Sequence, residues 1–149
     1  MPNFVKSTVS LTVGTDAYTD NDVVGGLLIF SLAGYPHQDI FLNRVLLVDN
    51  DNEKAALLLH LYGALPTTIA DDAAYTRSDA DALKWQGSVD LSTYVSVSTT
   101  NATALVTDIN DMYHTETGSL YGYLICVSST PTYTAVTDLT LTLFLSEQR

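Results

Sequence analysis

The sequence predicts an all-β fold, a two-sheet β-sandwich of jelly-roll-like type, and three observations carry that expectation. First, residues 139–145 alternate without a fault, with Leu139, Leu141, Leu143 and Leu145 on one face and Thr140, Thr142 and Phe144 on the other. That is the period of a half-buried strand. Second, Leu120 to Val127 is apolar throughout, with Tyr121, Tyr123 and a single Gly122, and reads as a strand buried on both sides. Third, only 15% of the residues are charged, against about 25% in an average globular chain. Thr, Ser, Asn and Asp supply the polarity instead, and these residues favour strands and turns over helices.

Taken in order, the chain gives seven or eight strands at intervals of 10–20 residues. Phe4 to Val13 alternates, with Val5, Val9, Leu11 and Val13 against Lys6, Thr8, Ser10 and Thr12. Residues 1–13 read as an N-terminal strand or arm able to reach a neighbour. Gly14 to Asp22 is a polar turn. Val23 to Leu32 is a strand whose Gly25–Gly26 pair marks a bulge or a close backbone approach. Ala33 to Asp39 is a turn, and Ile40 to Val48 a strand. The acid and amide cluster Asp49 to Glu53 precedes a further strand ending at Tyr62, and reads as a hairpin turn. The 64–86 connection, opened by Pro66, loses the alternation and is expected to hold one or two short helical turns. Ser78 is its N-cap, with Asp81 in the first turn. Gly87 to Val97 returns to strand, and Ala104 to Tyr113 is an edge strand broken by Asp108, Asn110 and Asp111. Pro131 and the threonines around it then link the two final strands as a hairpin whose inner face needs a second sheet.

Length and charge bound the function. A chain of 149 residues is one domain, 1–149, large enough to bury roughly 68–70% of its unfolded surface without disulfide or metal. The net charge is −11, from 17 acids and 6 bases. Binding nucleic acid requires phosphate neutralisation by Lys and Arg, so direct nucleic-acid binding is not expected. No apolar segment reaches the length that spans a membrane as a helix. The N-terminus lacks the basic start and apolar block of a signal peptide, so synthesis in a cytoplasm without cleaved export is expected.

The chemistry-bearing residues are weighed one by one. Asp49, Asp51 and Glu53 alternate in a loop, as carboxylates do at the start of a Ca²⁺ site, but the other oxygens and the usual Gly are missing. They are the candidate metal ligands. The three histidines, His37, His60 and His114, have no zinc spacing. His60, between Leu59 and Leu61, reads as a partly buried histidine with one hydrogen-bond partner. The single Cys126 excludes an intrachain disulfide and reads as a buried structural thiol. No nucleophile elbow, phosphate loop or dinucleotide fingerprint occurs, and no catalytic residue is assigned. Trp85, Tyr75 and Tyr113, with Tyr62, are strand-end or loop aromatics that could stack on sugar rings. They define the alternative, a carbohydrate-binding module. Packing the core or a subunit contact is the commoner use of such rings.

Two blocks carry a resemblance. The first is VLLVDNDNEKAALLLHLYGALPTTIADDAAYTRSDADALKWQGSV at 45–89; the second is GSLYGYLICVSSTPTYTAVTDLTLTL at 118–143. Their recurring elements are the D-x-D-x₃-A-x-L strand from Asp49, the P-T segment at Pro66, S-D-A-D at Ser78, and the L-Y-G-x-L, T-P-T-Y and D-L-T ending. The chain resembles small virion structural proteins of tailed bacteriophages over most of residues 40–145. The resemblance implies a place in a phage particle and carries over no catalytic residue. Acidic, charge-poor composition suits a capsid decoration or cement protein on the head surface, bound to the major capsid protein and self-associated as a homotrimer. A tail or neck component is the nearest alternative.

Overall fold

The computed structural model describes residues 4–32, 39–96 and 98–147, Ser96 by its backbone alone. Two antiparallel sheets pack face to face. The first contains β1 (Phe4–Ser10), β10 (Leu139–Ser146), β3 (Asp39–Asp49), β7 (Ala102–Val106) and β6 (Val95–Ser96) in that order, and β8 (Asp111–His114) extends the β7 edge along β3. The second is β2 (Val23–Ser31), β9 (Ser119–Cys126), β4 (Leu57–Tyr62) and β5 (Trp85–Asp90). The pairs run β1 with β10, β2 with β9, β3 with β7 and β8, and β4 with β5. One long antiparallel hairpin, folded at β4–β5 and rolled up, gives this order, which is the jelly roll.

The alternation read from the sequence is the core. Leu139, Leu141, Leu143 and Leu145 meet Leu42, Val45 and Leu47 of β3 and Leu57, Leu59 and Leu61 of β4, all buried. The glycine pair in β2 does both things expected of it. The register shifts between Val24 and Leu28, and a Cβ on Gly25, whose φ is +84°, would lie 2.9 Å from Leu11 Cδ2. Ser78 caps α1 (Asp79–Ala82), its hydroxyl accepting the Asp81 N–H at 3.1 Å. Asp108 and Asn110 break the β7–β8 edge with φ of +56° and +52°, a region that Asn and Asp tolerate better than most residues.

Three expectations are corrected. The Asp49–Glu53 turn does not close a hairpin, because β3 lies in the first sheet and β4 in the second. The final strands β9 and β10 also belong to different sheets. Both links, 50–56 and 127–138, cross the end of the sandwich, and sheets about 10 Å apart demand longer links than a tight turn. The single strand expected over Gly87–Val97 is two: β5 ends at Asp90, Leu91 turns into the core, and β6 joins the first sheet. The residues at 1–3 of the expected arm, 33–38 of the expected turn (with His37) and 97 lie outside the described residues.

Candidate functional site

The two outer faces of this sandwich differ, and function is sought in the difference. The outer face of the second sheet is covered by the chain itself. Residues 63–78 fold across it and pair with β2, through Val23 N–H to Ala73 O at 2.9 Å and Tyr75 N–H to Asn21 O at 2.8 Å. Under this cover lies a second apolar cluster of Val23, Tyr62, Tyr123 and Ile125, with Ile69, Tyr75, Trp85 and Tyr121 packed against it. Tyr123 ties cover to sheet, its hydroxyl donating to Thr67 O at 2.6 Å and accepting from Ile69 N–H at 3.0 Å. The two-sided apolarity of β9 is explained: one face meets the sandwich core, the other meets the cover.

The carbohydrate candidates divide here. Tyr75 and Trp85 come together around His60. The His60 ring stacks on Tyr75 at 4.9 Å and 7°, and its Nδ1 accepts Trp85 Nε1–H at 3.0 Å. Arg77 lies over Trp85 at 5.3 Å, and the Tyr75 hydroxyl is hydrogen-bonded to that of Tyr62. One face of each of these two rings, Tyr75 and Trp85, is thus occupied by the protein's own groups. Tyr113 is elsewhere, 1% exposed in the main core against β5, and offers no face to a sugar. Burial, with Arg77 second, holds the His60 imidazole below its ordinary range.

The acidic loop is also committed. Asp49 is fully buried, its carboxylate accepting Asp51 N–H at 2.9 Å and Lys54 N–H at 2.8 Å. Asp51 accepts the Thr134 N–H at 3.0 Å and its hydroxyl at 2.9 Å. Glu53 is exposed and lines a cleft of about 400 Å³ with Lys54, Ser128 and Ser129. Asp49 and Asp51 thus brace the crossing links. Among the described residues no three acidic, histidine or cysteine side chains gather to hold a metal ion. Cys126 is buried, and burial pushes its thiol up to about 12, far from the thiolate a nucleophile needs.

Among the described residues no segment covers the outer face of the first sheet in this way. Its cross-strand rows follow from the register. One row is Thr8, Thr142, Leu46 and Leu105; a second is Ser10, Thr140, Val48, Thr103 and Val95; a third pairs Phe41 with Met112. Leu105, Met112 and Val95 are 50%, 58% and 67% exposed. Between these rows Lys6, Phe144 and Arg44 stand side by side. Arg44 lies 4.1 Å and Lys6 6.0 Å from the Phe144 ring centre. Sequence reasoning did not single out Lys6, Arg44 or Phe144. A signal was there: β3 is apolar at Ile40, Leu42, Val45 and Leu47, and again at Phe41, Leu46 and Val48 on its other side.

No protein-family model matches the chain, and a search of curated proteins finds no match.

Proposed function

We propose that the chain is a non-catalytic virion structural protein, a decoration or cement protein that binds the head of a tailed phage through the open face of its first sheet. The observation that carries this reading is the contrast between the faces. A strand as apolar on both sides as β3 belongs between two covers. The second sheet has its cover in cis; the first has none among the described residues. In the proposed setting the major capsid protein supplies it. The jelly roll accords with this, being an architecture that capsid and lectin domains share, as does the resemblance over residues 40–145. Self-association as a homotrimer at three-fold positions, and residence on the outside of the head, belong to the same proposal. The acids of the loops at Asp16–Asp20 and Asp71–Asp72, with Asp79 of α1, would then keep coated particles apart.

A binding assay tests it. Heads from a phage deleted for this gene are mixed with the purified protein and sedimented. Saturable co-sedimentation, with heads that then resist heating better, is the expected result. Protein that stays in the supernatant with heads but sediments with tails would move the address to the tail or neck.

A further inference from the structure

The open face carries an electrostatic feature of its own. Acids outnumber bases 17 to 6, yet Lys6 and Arg44 flank one phenyl ring. The ion pairs among the described residues are Lys84–Asp81 and His114–Asp39; neither Lys6 nor Arg44 is in one. In a chain of net charge −11, two cations set together and left unpaired at an apolar surface are placed for an anion that arrives from outside. Phe144 holds both in place by its ring face, while leaving their N–H donors free for an incoming acceptor.

We infer that the occupant of this face is a protein surface presenting carboxylates, Asp or Glu, among aliphatic side chains, and that Arg44 and Lys6 receive them. A second copy of the chain fits poorly. Face to face, it would bring two copies of Lys6 and Arg44 against each other. Nucleic acid fits poorly too, since two cations neutralise too few phosphates against the surrounding acids. An acidic and aliphatic protein surface matches both halves of the face. Bidentate pairing with Arg44 supplies orientation, and Leu46, Leu105 and Met112 supply contact area. The inference deepens the proposed docking role and rests on that reading of the face.

The test uses the full chain and two synthetic helical peptides, one with a Leu/Glu face and one with a Leu/Lys face. Amide shifts in the NMR spectrum locate binding, and calorimetry measures it. The Leu/Glu peptide is expected to shift amides of β1, β3 and β10, with affinity that falls as salt rises. Arg44→Glu is expected to weaken it at least tenfold and Lys6→Glu severalfold; both positions face solvent, so the fold persists. The Leu/Lys peptide should not bind. Equal binding by both peptides, no binding by the Leu/Glu peptide, shifts confined to other strands, or full affinity in Arg44→Glu would each overturn the inference. Its failure is separable from failure of the head address. A protein that sediments with heads but ignores the acidic peptide keeps the address and loses this inference. One that takes the peptide on this face but ignores heads keeps the inference and loses the address.

Discussion

Acidification should weaken the β4–β5 edge beneath the cover of the second sheet, through His60. The Trp85 indole only donates, so His60 Nδ1 must accept at 3.0 Å, which fixes the ring as neutral with its proton on Nε2. Protonation puts a second N–H against the indole N–H. It removes a hydrogen bond of about 1 kcal/mol and places a cation near Arg77. Burial first, and Arg77 second, lower the His60 pKa from 6.5. Because the folded value lies below the unfolded one, the unfolded chain takes up the proton first. Stability from neutral His60 is therefore complete above pH 6.5. It falls as the pH drops from there toward the folded value, at no more than about 1.4 kcal/mol per pH unit. His60 is only partly buried, so solvent screening holds the total to about 1 kcal/mol. Trp85 is the chain's single tryptophan and reports the event. Urea unfolding is followed by its fluorescence at pH 7.5 and pH 5.0, in the wild type and in His60→Gln. The carboxylates titrate alike in both, so the difference isolates His60. The wild type should lose about 1 kcal/mol more than the variant between those pH values. Equal losses would refute the argument that His60 is a neutral acceptor bonded to Trp85 beneath the cover.

Two further outcomes follow from the same geometry. Tyr123→Phe deletes the hydroxyl shared by Thr67 O and Ile69 N–H; it should cost about 1–3 kcal/mol and speed amide exchange in 63–75 before it affects β10. The Asp49 carboxylate already holds two backbone N–H groups, so EDTA should leave the melting temperature unchanged, whereas Asp49→Ala should lower stability by about 2 kcal/mol or more; a melting temperature that drops in EDTA would return Asp49, Asp51 and Glu53 to a cation.

What the sequence made legible was the burial pattern. The leucines of β10, the bulge at Gly25–Gly26, the cap at Ser78 and the thiol inside β9 are local consequences of period, side-chain shape and turn chemistry. Partner choice was not local. Alternation in Leu139–Leu145 says which face is buried and nothing about which strand lies beside it, so β9 and β10 read as a hairpin until the roll placed them in opposite sheets. The lengths of 50–56 and 127–138 were the missed signal, since two-residue hairpin links are the common ones. Aromatic type misled in the same way: Tyr75 and Tyr113 look alike in sequence, yet one lies in the cover and the other in the core. Lys6 and Arg44 lie far apart in the chain, and only the β1–β10–β3 register sets them on either side of Phe144.

The address itself is tested most directly by weighing the protein in the particle. The proposal requires a phage that encodes this chain; heads and tails of that phage are separated on a gradient, and each fraction is analysed by quantitative mass spectrometry against the major capsid protein. The proposal predicts the chain in the head fraction, in a fixed ratio to the capsid protein that reflects occupancy of three-fold positions. Its absence from heads, or its enrichment in tails alone, would contradict the proposal.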